Sequence, residues 1–250
     1  MAIWSYLVVG LFLPLFPLSM AFNLVFARVT QPLARAGLLL AWPLTGLALL
    51  DKLGAVVPEP ILNWALVTSA LYAVRLLSLR DLGTWTGFLA TSVWALLWIP
   101  AREGFELADI ALDALSFSAP LALLVLITVL LSRRLGGAYA GINDGIATSL
   151  PRLSVVLIIC LLAAVATPPF PGFFSLLSVL MLATPATMIG LLIVWLLWSW
   201  AAARLIQGFI VGTPPQGSSV QDIGLPLSWG LAMAFTALLL TGVLLTGDLL

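Results

Sequence analysis

Eight apolar stretches follow one another along the chain, separated by short polar or turn-rich connections. They cover residues 3–27, 36–50 (reaching towards 57), 61–79, 82–100, 108–131, 151–182, 185–211 and 226–246. At 1.5 Å rise per residue, about 20 apolar residues cross the ~30 Å hydrocarbon layer of a bilayer. The pattern predicts an all-α polytopic membrane protein with about eight transmembrane helices. No linker or shift in composition divides the chain, so residues 1–250 read as a single integral-membrane domain. The longest polar segment, GTPPQGSSVQD at 212–222, is rich in turn formers and has no periodicity.

The sixth stretch carries an interruption. After VLIICLLAAVA come Thr167, Pro168, Pro169, Phe170, Pro171 and Gly172, and the apolar run then resumes to about residue 182. Proline removes an amide donor and clashes with the preceding turn, so three of them cannot sit inside a regular helix. The pattern predicts one discontinuous helix, broken near 166–172. The carbonyls it frees, near Val165 and Ala166, need partners, because lipid offers none. Such breaks occur where the backbone is buried in protein or lines a hydrated cavity, as in ion-translocating proteins. The plainer alternative is a loop between two shorter elements, with residues 173–182 re-entrant.

Composition agrees with the membrane reading. Hydrophobic residues make up 62% of the chain and charged residues 8%, where a soluble domain carries about 25% charged. The net charge is zero, which gives no footprint for nucleic acid. There is no histidine, and Cys160 is the single cysteine. Disulfide frameworks and cysteine or histidine metal sites are therefore excluded. The apolar N-terminus lacks a basic leader and a clean cleavage site, and reads as a retained first helix. With eight spans, one side collects Arg28, Arg35, Arg75, Arg80, Arg133, Arg134, Arg152 and Arg204, and the other only Lys52 and Arg102. This positive-inside bias predicts a bacterial-type inner (plasma) membrane protein with both termini on the non-cytoplasmic side.

Few residues carry candidate chemistry. Glu106, Asp109 and Asp113 recur at spacings of three and four, so they share one face of the fifth helix. An ionisable group at membrane depth is a functional candidate by default, and this stripe could draw protons or cations into a cavity. The alternative is a helix start whose carboxylates complement the dipole. Arg75 and Arg204 lie near helix ends, either snorkelling to the interface or pairing with a carboxylate of a neighbouring helix or partner subunit. Asn23 and Asn63 are expected to bond between helices, and the ten tryptophans to form an interfacial belt. Trp195, Trp198 and Trp200 crowd one level. GGAYAG at 136–141 reads as a turn. No phosphate loop, nucleophile elbow or metal cluster is present, so the sequence points to no catalytic residue, no metal and no cofactor.

An ordered set of residues resembles a known family. Arg133, Arg134, Gly136, Gly137, Gly145, Ala147, Pro151, Pro168, Pro169, Gly172 and Phe173, followed by WSWAAARLIQGFIVGTP at 198–214, resemble the antiporter-like proton-channel subunits of respiratory complex I, Mrp antiporters, membrane hydrogenases and DAB-type inorganic-carbon complexes. The resemblance covers roughly 109–250. It divides the chain into weakly matched N-terminal helices (1–107) and an antiporter-like half-channel scaffold (108–250). PLFPL at 14–18 and residues 78–99 resemble N-terminal parts of the family. Family members are longer, and their relay groups differ. Ser116 and Pro120 stand where a histidine and a lysine are usual, and Ser175 lies where a lysine or glutamate follows the Gly-Phe.

The resemblance implies a membrane subunit of a larger ion-translocating complex, scaffolding or partly lining a proton or cation path without pumping alone. Ser116 and Ser175 join Glu106, Asp109 and Asp113 as ion-path candidates. The implied partners are other membrane subunits, a full-length antiporter-like subunit or a soluble catalytic subunit, and the lipid bilayer; the chain itself is expected not to be an enzyme. The alternatives are an independent proton- or cation-coupled transporter, inorganic-carbon uptake included, and more remotely an integral-membrane enzyme.

Overall fold

The computed structural model describes residues 3–54, 57–103, 106–212 and 221–249. In order the helices are α1 (Ile3–Phe12), α2 (Met20–Arg28), α3 (Pro32–Leu53), α4 (Glu59–Leu76), α5 (Leu82–Ala95), α6 (Trp98–Arg102), α7 (Leu107–Leu135), α8 (Ile146–Ser149), α9 (Pro151–Ala164), α10 (Pro171–Leu182), α11 (Pro185–Ile210) and α12 (Leu225–Leu249). The helices start and stop where local chemistry dictates. Proline opens α3, α4, α9, α10 and α11 in the first turn, where a missing N–H costs nothing. Asp81 caps α5 by accepting from Thr84 N, and Thr184 caps α11 by accepting from Thr187 N. Left-handed Gly54 and Gly136 end α3 and α7.

The fold is a polytopic bundle. Among the described residues five segments are long and apolar enough to cross a membrane: Pro32–Leu53, Leu82–Arg102, Leu107–Leu135, Pro185–Ile210 and Leu225–Leu245. The fourth expected helix, 82–100, is interrupted by a short turn at Leu96–Leu97 between α5 and α6. Of the apolar window in Leu82–Arg102, 89% of residues are buried, against 17% for Leu225–Leu245. The α5–α6 segment is thus the hub, and α12 presents most of its surface outward. The expected first helix, 3–27, is not continuous. Pro14 and Pro17 split it into α1 and α2, so the described residues hold two proline breaks rather than one. Residues 13–19 form turns, because neither proline can donate an amide to a helical ladder.

Both breaks expose carbonyls that lipid cannot satisfy, and indole N–H groups from other helices reach them. At the first break Trp42 donates to Leu11 O (3.0 Å), Trp98 to Leu13 O (3.1 Å) and Trp64 to Phe16 O (2.6 Å), while Phe16 N donates to Thr68 Oγ1 (2.9 Å). At the second, Trp195 donates to Val165 O (3.1 Å), and Thr167 folds its hydroxyl back onto Leu162 O (2.9 Å). The expectation of an interfacial tryptophan belt is corrected for these side chains. Trp94 and Trp198 also point inward, donating to Ser118 Oγ and Ser92 Oγ at 2.9 and 2.8 Å. Trp200 and Trp229 stay exposed. Asn23 bonds Thr91 Oγ1 across helices at 2.9 Å, as expected, whereas Asn63 is exposed in the second turn of α4.

The loops at one end knit together. Asp222 accepts from Arg152 N and Leu153 N, capping α9, while Arg134 Nε donates to Gln221 O and Arg152 Nη1 to Ile223 O. Residues 136–141, expected as a turn, fold back on the start of α5 through Leu82 N to Ala138 O and Ala140 N to Arg80 O. Of the 212–222 connection, residues 213–220 lie outside the described residues.

Removing one indole donor tests whether the capping matters. Trp98 is fully buried, so Trp98→Phe keeps the packing of one ring while orphaning the Leu13 carbonyl. A buried unpaired group costs about 1–3 kcal/mol, which for a chain of this size lowers the unfolding midpoint by roughly 2–4 °C per kcal/mol. Thermal unfolding in mild detergent should show that drop, with Trp229→Phe unchanged; equal midpoints for the two variants would refute the capping role.

Candidate functional site

The second break places a polar pair beside the central helix. Proline and glycine at 168–172 end α9 and start α10, and Ala166 takes a left-handed φ of +55° to turn the chain. The two halves have 14 and 12 residues. At 1.5 Å per residue neither spans ~30 Å alone, but together they do. α7 and α12 each pack against both halves, so the pieces share one track through the bundle. Close approach keeps the break in place. A Cβ on Gly172 would lie 3.4 Å from Phe117 of α7, and a Cβ on Gly242 of α12 would collide with the Pro169 carbonyl oxygen.

This packing turns Ser175, in the second turn of α10, towards α7. Its Oγ is buried and approaches the Asp113 carboxylate, yet it completes no regular hydrogen bond among the described residues. Asp113 is half-buried, about 9 Å along α7 from its first residue at 1.5 Å per residue. Asp109, one turn earlier, is exposed and acts on Asp113 as a like charge. Glu106 is the exposed N-cap residue of α7. The stripe therefore runs from the surface inward and ends at the Asp113–Ser175 pair. Ser116, a turn deeper, is buried in α7. A cavity of about 150 Å³ opens at the same end, with Asp51, Leu107 and Ile110 in its wall.

The other candidates lie elsewhere. Thr167, Pro168 and Pro169 form the exposed or half-exposed outer side of the break, and Phe170, Pro171 and Gly172 its buried side. Arg75 lines an apolar groove of about 550 Å³ with Asn23 and Tyr72, and Arg204 lines a different cleft with Arg80. Among the described residues neither Arg75 nor Arg204 meets a carboxylate, so neither forms the intramembrane ion pair considered from sequence. No group of three or more potential metal ligands occurs among the described residues.

Sequence reasoning missed two features. One is the first break, for which Pro14 and Pro17, three residues apart, were the available signal. The other is a buried polar seam. Ser69 and Ser92 donate to each other's backbone carbonyl at 2.7 Å, with Trp198 on Ser92 Oγ, and Ser19 Oγ bonds Tyr72 Oη at 2.9 Å. Its partners are 23 to 106 residues apart, which no local pattern reveals.

No family model matches the chain. An uncharacterized protein of Aquifex aeolicus (strain VF5) is 25% identical over 242 residues, covering 94% of this chain and 95% of that protein. Solved membrane complexes contain chains of the same fold. A chain of respiratory complex I from Thermus thermophilus superposes with a TM-score of 0.74 at 22% identity, over 96% of this chain and 53% of that one. A chain of the Mrp complex from Dietzia sp. DQ12-45-1b gives 0.80 at 14% identity, over 96% and 55%. A chain of an archaeal membrane-bound sulfane sulfur reductase gives 0.81 at 17% identity, over 95% and 43%. The chain thus has the fold of these subunits and spans about half the length of each.

A buried hydroxyl that completes no regular hydrogen bond adds little to stability, whereas one with several partners does. Ser175→Ala should leave the unfolding midpoint unchanged or raise it. Ser92→Ala, which strands Trp198 Nε1 and breaks the pairing with Ser69, should lose about 1–3 kcal/mol. Denaturation of both variants in the same detergent checks this, and a loss for Ser175→Ala as large as that for Ser92→Ala would show that Ser175 is merely structural.

Proposed function

We propose that the chain is a membrane subunit of a larger ion-translocating complex, in which Asp113 and Ser175 form part of a proton or cation path completed by partner subunits. The observation that carries this reading is the pair itself: a carboxylate and an unpaired buried hydroxyl meet where a helix opens its backbone. A carboxylate can take up and release a proton or hold a cation, and a hydroxyl can donate to it or accept from a water beside it. The fold shared with subunits of complex I and Mrp complexes supports the setting.

Little else along this track could carry charge. On the neighbouring α4, α5 and α7, Ser69, Ser92, Ser118, Thr91 and Tyr72 are neutral and hydrogen-bonded to each other or to Trp94, Asn23 and Ser19. A lone carboxylate makes a poor relay across 30 Å, so neighbouring subunits are assigned the remaining titratable groups. The chain is accordingly read as non-catalytic. Its arginine-rich end is assigned to the cytoplasm of a bacterial-type membrane, which leaves the acidic stripe open to the opposite side.

Purification from native membranes in mild detergent, followed by mass spectrometry, should yield stoichiometric membrane partners. In that intact complex, Asp113→Asn should reduce ion flux severalfold without dissociating the subunits. A monodisperse single chain that conducts alone would instead identify an independent transporter, and an unaltered flux in the Asp113→Asn complex would remove the pair from the path.

A further inference from the structure

The bundle has two chemically different ends. Asp51, Glu59, Glu103, Glu106, Asp109 and Asp113 lie at one, and the eight arginines at the other, together with Asp81, Asp144 and Asp222. Several of those arginines are engaged. Arg35 stacks over the Phe26 ring at 4.3 Å, and Arg134 and Arg152 donate to Gln221 O and Ile223 O. Arg80 and Arg204 are arranged differently. They share the wall of a cleft of about 640 Å³ between the chain leaving α4 and the end of α11. Leu77, Leu79, Leu205 and Val211 supply its apolar lining, and Gln207 and the 140–141 backbone its polar lining. The Gly141 N to Gly208 O bond, 2.7 Å, fixes its floor. No carboxylate lines the cleft, and among the described residues neither guanidinium has an ion-pair or hydrogen-bond partner.

Both guanidiniums are exposed and share the wall of one cleft, and guanidinium forks match phosphate oxygens. The surface leading to the cleft indicates what carries that phosphate. Ile193, Leu196 and Trp200 are exposed on α11 and run in helical register down to Arg204. An exposed apolar track, then a tryptophan, then an arginine is the order of acyl chain, interface and headgroup across a leaflet.

We propose that the Arg80–Arg204 cleft binds the phosphate headgroup of an anionic phospholipid, with an acyl chain along the Ile193–Leu196–Trp200 track. Basic residues at a membrane surface contribute enough for the loss of two to weaken binding of an anionic lipid roughly 30-fold. The site is independent of the Asp113 path.

The test is native mass spectrometry of the full chain, with any subunits that accompany it, titrated with phosphatidylglycerol or phosphatidylcholine. The wild type should retain one phosphatidylglycerol and shed phosphatidylcholine. Arg80→Gln/Arg204→Gln should bind phosphatidylglycerol roughly 30-fold more weakly, while Arg28→Gln/Arg133→Gln, which removes the same charge from exposed positions outside the cleft, stays near wild type. Equal weakening in both variants would mean diffuse attraction and overturn the site. Wild-type protein that retains inorganic phosphate but no phosphatidylglycerol would overturn the lipid assignment, and so would wild-type protein that retains only an acidic protein partner there. If the cleft variant does not fold, the wild type decides: phosphatidylglycerol should raise its unfolding midpoint and phosphatidylcholine should not, and equal shifts would defeat the proposal.

Discussion

Lipid offers the backbone no hydrogen-bond partner, and the rest of this architecture follows from meeting that demand at two proline breaks. A continuous helix satisfies itself. A helix opened by Pro14 and Pro17, or by Pro168, Pro169 and Pro171, must borrow donors from its neighbours. Here the donors are indoles: Trp42, Trp64 and Trp98 at the first opening and Trp195 at the second. An indole suits the task because it gives one N–H and no acceptor, and the rest of the ring packs as an apolar body. Each such bond also ties one helix to the opening of another. α3, α4 and α6 are tied to the first break and α11 to the second. The breaks therefore organise the bundle instead of weakening it.

The same demand explains the centre. Of the five apolar spans α5–α6 and α7 are the most buried; Thr86, Thr91 and Thr128 donate to carbonyls of their own helices, Ser92 pairs with Ser69 of α4, and Trp94 and Trp198 donate to Ser118 and Ser92. Such mutual satisfaction leaves a neutral, rigid interior. Ser175 departs from it: its Oγ is buried beside a carboxylate without completing a bond. Among the described residues Arg35 Nε and Trp85 Nε1 are also buried without a partner, and of the three Ser175 Oγ is the hydroxyl, set beside the Asp113 carboxylate. At the arginine-rich end the departure is of another kind, two exposed cations sharing one cleft that no carboxylate lines.

Much of this was legible in the chain, for physical reasons that can be named. Pro168, Pro169 and Pro171 announce a break because proline acts locally, on its own turn. Glu106, Asp109 and Asp113 announce a shared face because helical periodicity is local too. The first break was harder to read, since Pro14 and Pro17 lie in a run apolar enough to pass for one span. Ser175 stood out only through a resemblance, at a position where other chains carry a charge. The tryptophans misled, because the same amphipathic ring serves equally at a membrane interface and inside a bundle, and only its partner distinguishes the two.

By itself, then, the sequence determined that this is a polytopic helical membrane protein, that one helix is broken near 166–172, that an acidic stripe opens the fifth apolar stretch, and that arginine segregates to one side of the connections. Each of these follows from composition or from residues within a few turns of one another. Only the tertiary structure decided that Trp98 closes a carbonyl 85 residues earlier, that α10 turns Ser175 towards Asp113 of α7, and that Arg80 and Arg204 face one cleft. These depend on which helices become neighbours and how each is rotated. That is set by the summed packing of all the helices and by close approaches such as Gly242 on the Pro169 carbonyl, and no local pattern encodes it.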